Sequence, residues 1–337
     1  MVRRAVSVLM PVLNEEKSVA QAVESVLAQR DVDLEVLVID GRSVDATAQI
    51  VSDLAVRDPR VRLLSNPQVI IPAALNVGLA AATGEFVARV DGHASVSDDY
   101  LARGVGHLRA DAQLAGVGGI RLGVSDSPAG RAVAMALASP FGVGDSINHF
   151  GTQFQLTDHA SFGVYRADVA REVGGWDETL LVNEDVDFDH RILHAGYRIA
   201  FDPAMKIYWH VRESAGALMT QYRRYGRGKA AMARKNGPGA LKLRHLAAPT
   251  AVLGTVALAG LALRHPGWAA SCYAPYAIGV GVASVSAWRH RPEQEVDPVT
   301  LPLSFLAMHY GWGLGFLEGY LLGRTPQRAS GNSRAAA

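Results

Sequence analysis

Short apolar runs alternate with helix-length segments through the first 91 residues, and few folds accommodate that alternation. Apolar runs rich in β-branched residues predict strands at Ala5–Pro11, Leu34–Asp40, Val61–Leu64 and Glu85–Asp91. The segments between them predict helices at Glu16–Gln29, Ala46–Val56 and Ile71–Ala82. This order predicts an α/β domain with a mainly parallel sheet that carries helices on both faces.

Two acidic residues stand where predicted strands end. Asp40 closes the second strand and Asp91 closes the fourth. In parallel sheets of this kind, ligands bind beside the carboxyl ends of the strands. The sequence therefore predicts a binding edge that carries both carboxylates.

Composition excludes several classes of protein. The formal net charge is +1, so no global field favours nucleic acid, and no nucleic-acid partner is expected. The single cysteine excludes a disulfide framework and a cysteine-based zinc site. The N-terminus lacks an apolar segment of the signal-peptide type, so we expect the catalytic part in the cytoplasm.

The last third of the chain is apolar enough to predict membrane helices. Nearly uncharged stretches occupy Leu246–Leu263, Trp268–Trp288 and Val299–Gly323, and the first two approach the length that spans a bilayer. The basic segment before them favours the cytoplasmic side. The alternative is three buried helices of a soluble core.

These features predict a multi-pass protein of the plasma membrane with four parts. They are a catalytic domain over 1–230, a basic juxtamembrane linker over 231–245, two or three membrane-embedded helices over 246–323 and a polar tail over 324–337.

A polar motif follows each of the first two predicted strands. The first predicted strand leads into Pro11-Val12-Leu13-Asn14-Glu15, and the second leads into the segment from Asp40 to Thr47. The carboxylate of Asp40 can accept the imide N–H of a uracil ring, and Glu15 can hold the same nucleoside from the other side. For Ser43 the alternative is a helix cap.

A third motif combines Asn76-Val77-Gly78 with the run that ends at Asp91 and His93. A leaving nucleoside diphosphate needs its charge neutralised, and a divalent cation on one or two protein ligands does this. Asp91 and His93 can supply those ligands, and imidazole suits manganese better than calcium. The alternative for His93 is a histidine in a surface turn.

The pair Glu184-Asp185 opens a stretch of helical periodicity. Glycosyl transfer with inversion requires one carboxylate to deprotonate the acceptor hydroxyl during in-line attack. A carboxylate in the first helical turn beside a pocket can serve, and the alternative is an acid that only favours the helix dipole.

The fifth motif is Gln221-Tyr222-Arg223-Arg224-Tyr225, which follows His210. Arg223 and Arg224 offer donors for phosphate, and Tyr225 offers an aromatic wall for a sugar or a base. The alternative is a basic amphipathic helix on a membrane surface.

Together the five motifs resemble the family 2 glycosyltransferases with a GT-A fold, and their ExoA-like branch of the succinoglycan biosynthesis type. The resemblance runs in order from about Val6 to Lys229. It implies a UDP-sugar or GDP-sugar donor, Mg or Mn as cofactor, and inversion at the anomeric carbon. Asp91 would open a DxD metal motif, Asp185 would be the base of an ED motif, and His210 would complete the metal site.

The residues expected in the site fall into three groups. The catalytic pair is Glu184 and Asp185, and the metal ligands are Asp91, His93 and His210. The nucleotide-sugar ligands are Pro11, Asn14, Glu15, Asp40, Ser43, Asn76, Gly78, Asp91, Gln221, Arg224 and Tyr225.

Two departures from the family pattern bear on function. His93 stands where the second DxD acid is usual, and Tyr225 replaces the Trp of QxxRW. The leading interpretation is an inverting hexosyltransferase that passes a sugar, from a UDP-hexose by expectation, to a lipid-linked or membrane-bound glycan acceptor in polysaccharide biosynthesis. The alternatives are a processive polysaccharide synthase and an inactive donor-binding scaffold subunit of a membrane complex.

Overall fold

A computed structural model describes residues 5–325 apart from residues 238 and 240. Most of the predicted polar tail, from residue 326 onward, lies outside the described residues. The chain divides into two compact units. The first runs to Leu122 and resumes from Gly151 to His210, and the second comprises Gly123–Phe150 and the chain from Val211 onward.

The first unit contains the predicted β–α alternation. Its strands are β1 Val6–Val12, β2 Leu34–Asp40, β3 Val61–Ser65, β4 Phe86–Arg89, β5 Ala94–Val96, β6 Leu114–Val124 (whose last two residues belong to the second unit), β7 Gln155–Thr157, β8 Val164–Arg166 and β9 Arg198–His210. Its helices are α1 Val19–Leu27, α2 Thr47–Arg57, α3 Ile71–Ala81, α4 Tyr100–Ala110, α7 Ala167–Glu172 and α8 Glu184–His194. The seven predicted elements before Asp91 are all present, with ends displaced by at most three residues.

Within the described residues, nine strands form one mixed sheet in the order β3-β2-β1-β4-β8-β6-β9-β5, with β7 paired to β9. The α/β fold is confirmed, and the parallel pairing is concentrated in β3-β2-β1-β4. Val12 is opposite Asp40 and Leu9 is opposite Arg89. Strand β1 therefore lies between the strand that ends at Asp40 and the strand that leads into Asp91, and the two acids are about 10 Å apart at two strand spacings.

Alternate residues of the sheet feed two apolar layers. Val8, Met10 and Val38 face a layer that includes Val23 of α1 and Leu101 of α4. Leu9, Leu37 and Ile39 face the opposite layer, which includes Leu75 of α3 and Phe188 of α8. This two-residue alternation in strands buried on both faces explains why the runs are almost wholly apolar.

The second unit is helical. Its helices are α5 Pro128–Leu137, α6 Pro140–Val143, a 3₁₀ turn at Ile147–His149, α9 Ala215–Asn236, α10 Arg244–Ala262, α11 Pro266–Arg289 and α12 Thr300–Leu322. Within the described part of the chain, α10 is the one helix whose length and composition suit a membrane crossing. The prediction of two or three spans is therefore not confirmed.

Helix α12, predicted as a membrane helix, is largely buried against other helices of the second unit. Gly311, Gly315 and Gly319 recur every fourth residue and lie on one face. A Cβ added at Gly311 would lie 2.6 Å from the carbonyl oxygen of Met219 on α9, and one at Gly319 would lie 2.7 Å from Cβ of Ala230. The small residues permit close approach of the two helix backbones, so uniform apolarity here reflects helix packing.

Candidate active site

Backbone-to-side-chain hydrogen bonds join the loops after β1 and β2. The backbone N–H of Asn14 donates to Oγ of Ser43 at 2.9 Å, and the N–H of Val44 donates to Oδ1 of Asn14 at 2.8 Å. Asn14 has φ 58°, in the left-handed region that asparagine tolerates better than most residues. Ser43 therefore fixes the β1 loop rather than capping α2, which has no side-chain cap.

The same pair of loops presents two of the predicted acids. Oδ2 of Asp40 accepts the N–H of Ser43 at 3.1 Å, and the N–H of Glu15 donates to Oγ1 of Thr47 at 2.7 Å. Pro11 lies near the end of β1, opposite Ile39. The structure thus brings Pro11, Asn14, Glu15, Asp40 and Ser43 together at the carboxyl ends of β1 and β2.

Arg89 joins the strand-end acid Asp91 to the helix that carries Glu184. Its Nε donates to Oδ1 of Asp91 at 2.7 Å, and its Nη1 donates to Oε1 of Glu184 at 3.0 Å. All three side chains are largely withdrawn from solvent. One buried guanidinium therefore holds two acids that are far apart in the sequence, at the edge predicted to bind ligand.

The surroundings shift the pKa values of the carboxyl groups in this site in different directions. Burial raises the pKa of Asp91, but the charges of Arg89, His93 and Arg121 outweigh it and hold that pKa below its usual range. Burial and the charge of Asp185 raise the pKa of Glu184 against the opposing charge of Arg89.

Asp185 behaves in the opposite way from its neighbour. Burial raises its pKa, but the charges of His159, Arg89 and Arg121 outweigh this and leave the pKa lowered. Its side chain is 38% exposed, whereas that of Glu184 is 7% exposed. Of two adjacent carboxyls, the one that faces solvent is the one that a substrate hydroxyl can reach, as a general base requires. In this pair that residue is Asp185.

The three predicted metal ligands lie in the same unit. Ala94 on β5 is paired with Trp209 on β9 in an antiparallel ladder. His93 immediately precedes Ala94 and His210 immediately follows Trp209, so both histidines lie just beyond this last pair. His93 Nδ1 lies 3.1 Å from Oε1 of Glu15. Among the described residues, no three His, Cys, Asp or Glu side chains form a preformed metal cage. Asp91, His93 and His210 stay the predicted ligands of a cation that the phosphate oxygens of a donor would help to hold.

The sequence and the fold both match known proteins. The profile of Glycosyl transferase family 2 matches residues 7–174. The succinoglycan biosynthesis protein ExoA of Rhizobium meliloti (strain 1021) is 31% identical over 320 residues, which cover 92% of this chain and 93% of that protein. The chain belongs to glycosyl transferase family 2.

Other relatives of this family 2 glycosyltransferase are more distant. The succinoglycan biosynthesis protein ExoO of the same organism is 30% identical, over 60% of this chain and 59% of that protein. The solved mannosyltransferase PcManGT from Pyrobaculum calidifontis, in complex with GDP-Man and Mn²⁺, superposes with a TM-score of 0.64. It is 22% identical and the match covers 91% of this chain and 86% of that one, so the likeness shows a shared GT-A-like fold.

Asn76 and Gly78 of this family 2 enzyme make packing contacts, and their assignment as nucleotide ligands stays a prediction. The Asn76 amide donates to the carbonyl of Trp176 at 2.8 Å and accepts the N–H of Trp176 at 2.8 Å. A Cβ at Gly78 would lie 2.9 Å from Leu9 and 3.0 Å from Ile39. Gly78 therefore allows α3 to approach the sheet, and Asn76 holds the loop before α8.

The QYRRY motif lies on α9 in the second unit. Nε2 of Gln221 donates to the hydroxyl of Tyr225 at 3.0 Å. Nε of Arg224 is buried without a hydrogen-bond partner among the residues described. Arg223, expected to bind phosphate, instead bonds Glu318 on α12, with Nε to Oε2 at 3.0 Å. Gln221, Arg224 and Tyr225 stay predicted ligands, and Arg223 has a packing role.

Sequence reasoning missed Arg89, His159 and Arg121. Arg89 is a charged residue inside an apolar strand, and that contrast is the signal by which the sequence could have revealed it. The guanidinium of Arg121 lies 4.3 Å over the Trp209 ring. Nε of Arg121 and Nε1 of Trp209 are both buried with no partner in the described part of the chain, so the pair can donate to a bound ligand.

Proposed function

We propose that this glycosyltransferase transfers a hexose, with inversion, from a nucleotide-sugar donor of the UDP-hexose class to a hydroxyl of a lipid-linked or membrane-bound glycan in polysaccharide biosynthesis. The observation that carries the proposal is the ion pair of Arg89 with Asp91 and with Glu184. It ties the strand edge suited to a nucleotide to the helix turn that carries Asp185. ExoA, the relative matched over most of its length, is named for succinoglycan biosynthesis.

In this mechanism Asp40 accepts a hydrogen bond from the nucleobase, and Glu15 contacts the nucleoside. Asp91, His93 and His210 would hold a Mg or Mn ion beside the diphosphate of the donor. Such an ion, when bound, neutralises charge on the leaving diphosphate. The fold shared with a mannosyltransferase solved with Mn²⁺ supports this choice of metal.

Asp185 accepts the proton of the acceptor hydroxyl in the transfer step. The acceptor oxygen forms a bond to the anomeric carbon on the face opposite the donor phosphate. The bond from that carbon to the phosphate oxygen breaks, and its electron pair leaves with the nucleoside diphosphate. Because attack and departure are on opposite faces, the configuration inverts.

The test uses the purified full chain with a UDP-hexose, Mn²⁺ and a polyprenyl-diphosphate sugar, with product analysed by mass spectrometry. We expect Asp185→Asn to lower kcat by at least about 100-fold, because general base catalysis contributes that much. Asp53→Asn, on the exposed surface of α2, is the matched control and should keep wild-type activity. Full activity in Asp185→Asn would remove Asp185 as the base.

The donor is identified by a thermal-shift screen of UDP-sugars and GDP-sugars with and without Mn²⁺. A ligand raises the unfolding temperature according to its concentration over its dissociation constant. Stabilisation by GDP-sugars alone would contradict the UDP assignment. Product length separates the two enzymatic alternatives, since a single added sugar excludes the processive synthase.

A second candidate is a donor-binding scaffold subunit without catalytic activity. The contact between His93 and Glu15 favours the scaffold, because it occupies the side chain that stands at the second DxD position. A scaffold would bind nucleotide sugar and release no sugar at any Mn²⁺ concentration. A titration of donor hydrolysis against metal distinguishes it from the transferase.

A further inference from the structure

A chain of contacts runs behind Asp185 into the core of the first unit. His159 lies between two carboxylates of α8: its Nδ1 is 2.7 Å from Oδ2 of Asp189, and its Nε2 is 3.8 Å from Oδ2 of Asp185. Asp185 and Asp189 are four residues apart on the helix, so they share one face. His159 comes from the loop before β8 and bridges that face.

Asp189 is fixed on both of its oxygens. The backbone N–H of Ala160 donates to Oδ2 at 2.8 Å, and the hydroxyl of Tyr165 donates to Oδ1 at 2.8 Å. The side chain of Asp189 is 0% exposed, whereas that of Asp185 is 38% exposed. Because Asp189 accepts from Nδ1, the other ring nitrogen of His159 is directed to Asp185.

The charges around His159 favour its imidazolium form. Burial lowers its pKa, but the hydrogen bond to Asp189 and the charges of Asp185, Asp189 and Asp158 raise it overall. On the other side, Arg89 and Arg121 also act on Asp185, and Glu184 is its neighbour.

We propose that His159, oriented by Asp189, is a positioning residue that keeps Asp185 ionised and holds its carboxylate toward the acceptor hydroxyl. This inference rests on the proposed role of Asp185 as the base. The arrangement resembles an acid–histidine–acid series in which one buried carboxylate sets the ring and the ring sets the reacting carboxylate. A histidine that only filled space would not need a fully buried carboxylate with both oxygens occupied.

The experiment compares His159→Gln with wild type in kcat and KM for the acceptor between pH 5 and pH 9. Gln retains hydrogen-bonding groups and carries no charge, so the variant removes the positive charge beside Asp185. We expect kcat to fall about tenfold at neutral pH with little change in KM. Without the imidazolium, Asp185 becomes protonated at higher pH, so the loss should be greater at pH 5 than at pH 8.

Two further variants and one spectrum complete the test. His194→Gln, at the exposed end of α8, is the matched control and should show wild-type kinetics. In a ¹⁵N NMR titration, His159 should titrate above the usual value for histidine, about 6.5, and Asp189→Asn should lower it. The NMR readout stays informative even where activity is too low to measure.

The outcomes separate the inference from the proposed function. If Asp185→Asn loses activity but His159→Gln shows no loss, or a loss that is equal at all pH values, the role of His159 is overturned. The role of Asp185 as the base then stands. Full activity in Asp185→Asn removes the base, and the inference falls with it. Loss in Asp185→Asn together with a loss that deepens at low pH in His159→Gln supports both.

Discussion

The guanidinium of Arg89, at the end of β4, donates a 3.0 Å hydrogen bond to Glu184, the first residue of α8. The same guanidinium bonds Asp91. The end of β4 and the start of α8, which are far apart in the sequence, are thereby connected through one buried cation. Because each acid would otherwise be a buried charge without compensation, Arg89 is a condition for the site as well as a part of it.

Replacement of Arg89 by Met should both destabilise the first unit and abolish transfer. Removing one partner of a buried ion pair leaves an uncompensated charge, which costs about 3 kcal/mol or more. Urea unfolding followed by circular dichroism measures this loss. Arg109→Met is the control, because its pair with Glu85 is about half exposed and should contribute less than about 1 kcal/mol. Equal effects of the two substitutions would contradict the central role of Arg89.

The parallel half of the fold was predictable because local periodicity determines it. The runs that became β1, β2 and β4 are buried almost throughout, and the carboxyl ends of the parallel strands meet at one edge of the sheet. For that reason the sequence alone predicts that Asp40 and Asp91 share an edge. The antiparallel half includes short strands such as β7 and β8, whose pairing depends on partners distant in sequence, and periodicity does not reveal that pairing.

The site was less predictable than the sheet for a related reason. Asn76 and Gly78 have the residue types of a ligand loop, but the helix that carries them packs on the sheet. Asp189 and His159 gave no local signal, since their roles arise only when α8 meets the loop before β8. A helix that is apolar on all sides is typical both of a buried helix and of a membrane helix, so composition alone could not separate the two for α12.

Glu35→Gln should destabilise the protein at pH 7 and have little effect near pH 3. Glu35 is buried and accepts hydrogen bonds from Ser7 and from Thr83, both at 2.7 Å. Burial raises its pKa, but these bonds and that of Arg62 outweigh it, so the folded-state pKa is lowered. A lowered pKa contributes stability above the unfolded value, about 4.3, that is lost as pH falls through the folded value. Urea unfolding at the two pH values measures the difference; equal destabilisation at both would contradict it.

Gly104→Ala and Gly106→Ala, two residues apart on α4, should change stability in opposite directions. A Cβ at Gly104 would lie 2.7 Å from Cγ2 of Val164, and such overpacking costs about 1–3 kcal/mol. Gly106 is exposed with nothing within 4 Å of an added Cβ, so alanine should stabilise the helix by about 1 kcal/mol. Differential scanning fluorimetry measures the unfolding temperatures of the two variants. A shift of both temperatures in the same direction would show that α4 does not pack as described.

Gly315→Leu should separate α12 from α9, whereas Gly281→Leu on α11 should be tolerated. A Cβ at Gly315 would collide with the carbonyl oxygen of Arg223, and backbone cannot yield cheaply. Nothing lies within 4 Å of a Cβ at Gly281, which is exposed. Differential scanning fluorimetry of the two variants measures the loss of stability. An unfolding temperature that stays at the wild-type value in Gly315→Leu would show that close packing at this glycine is not required.

Helix α10 should attach the enzyme to membranes through its exposed apolar side chains. Leu253 and Val256 lie near its middle and are 56% and 67% exposed. A charged lysine at the centre of a membrane helix costs about 3 kcal/mol, so Leu253→Lys with Val256→Lys should move the protein out of the membrane fraction in sucrose-gradient flotation at pH 7, where lysine is protonated. Val56→Lys, at a valine of α2 in the first unit that is 88% exposed, is the control and should leave the distribution unchanged. Retention of the double variant in the membrane fraction would contradict an anchoring role for α10, because the two lysines together should cost about 6 kcal/mol.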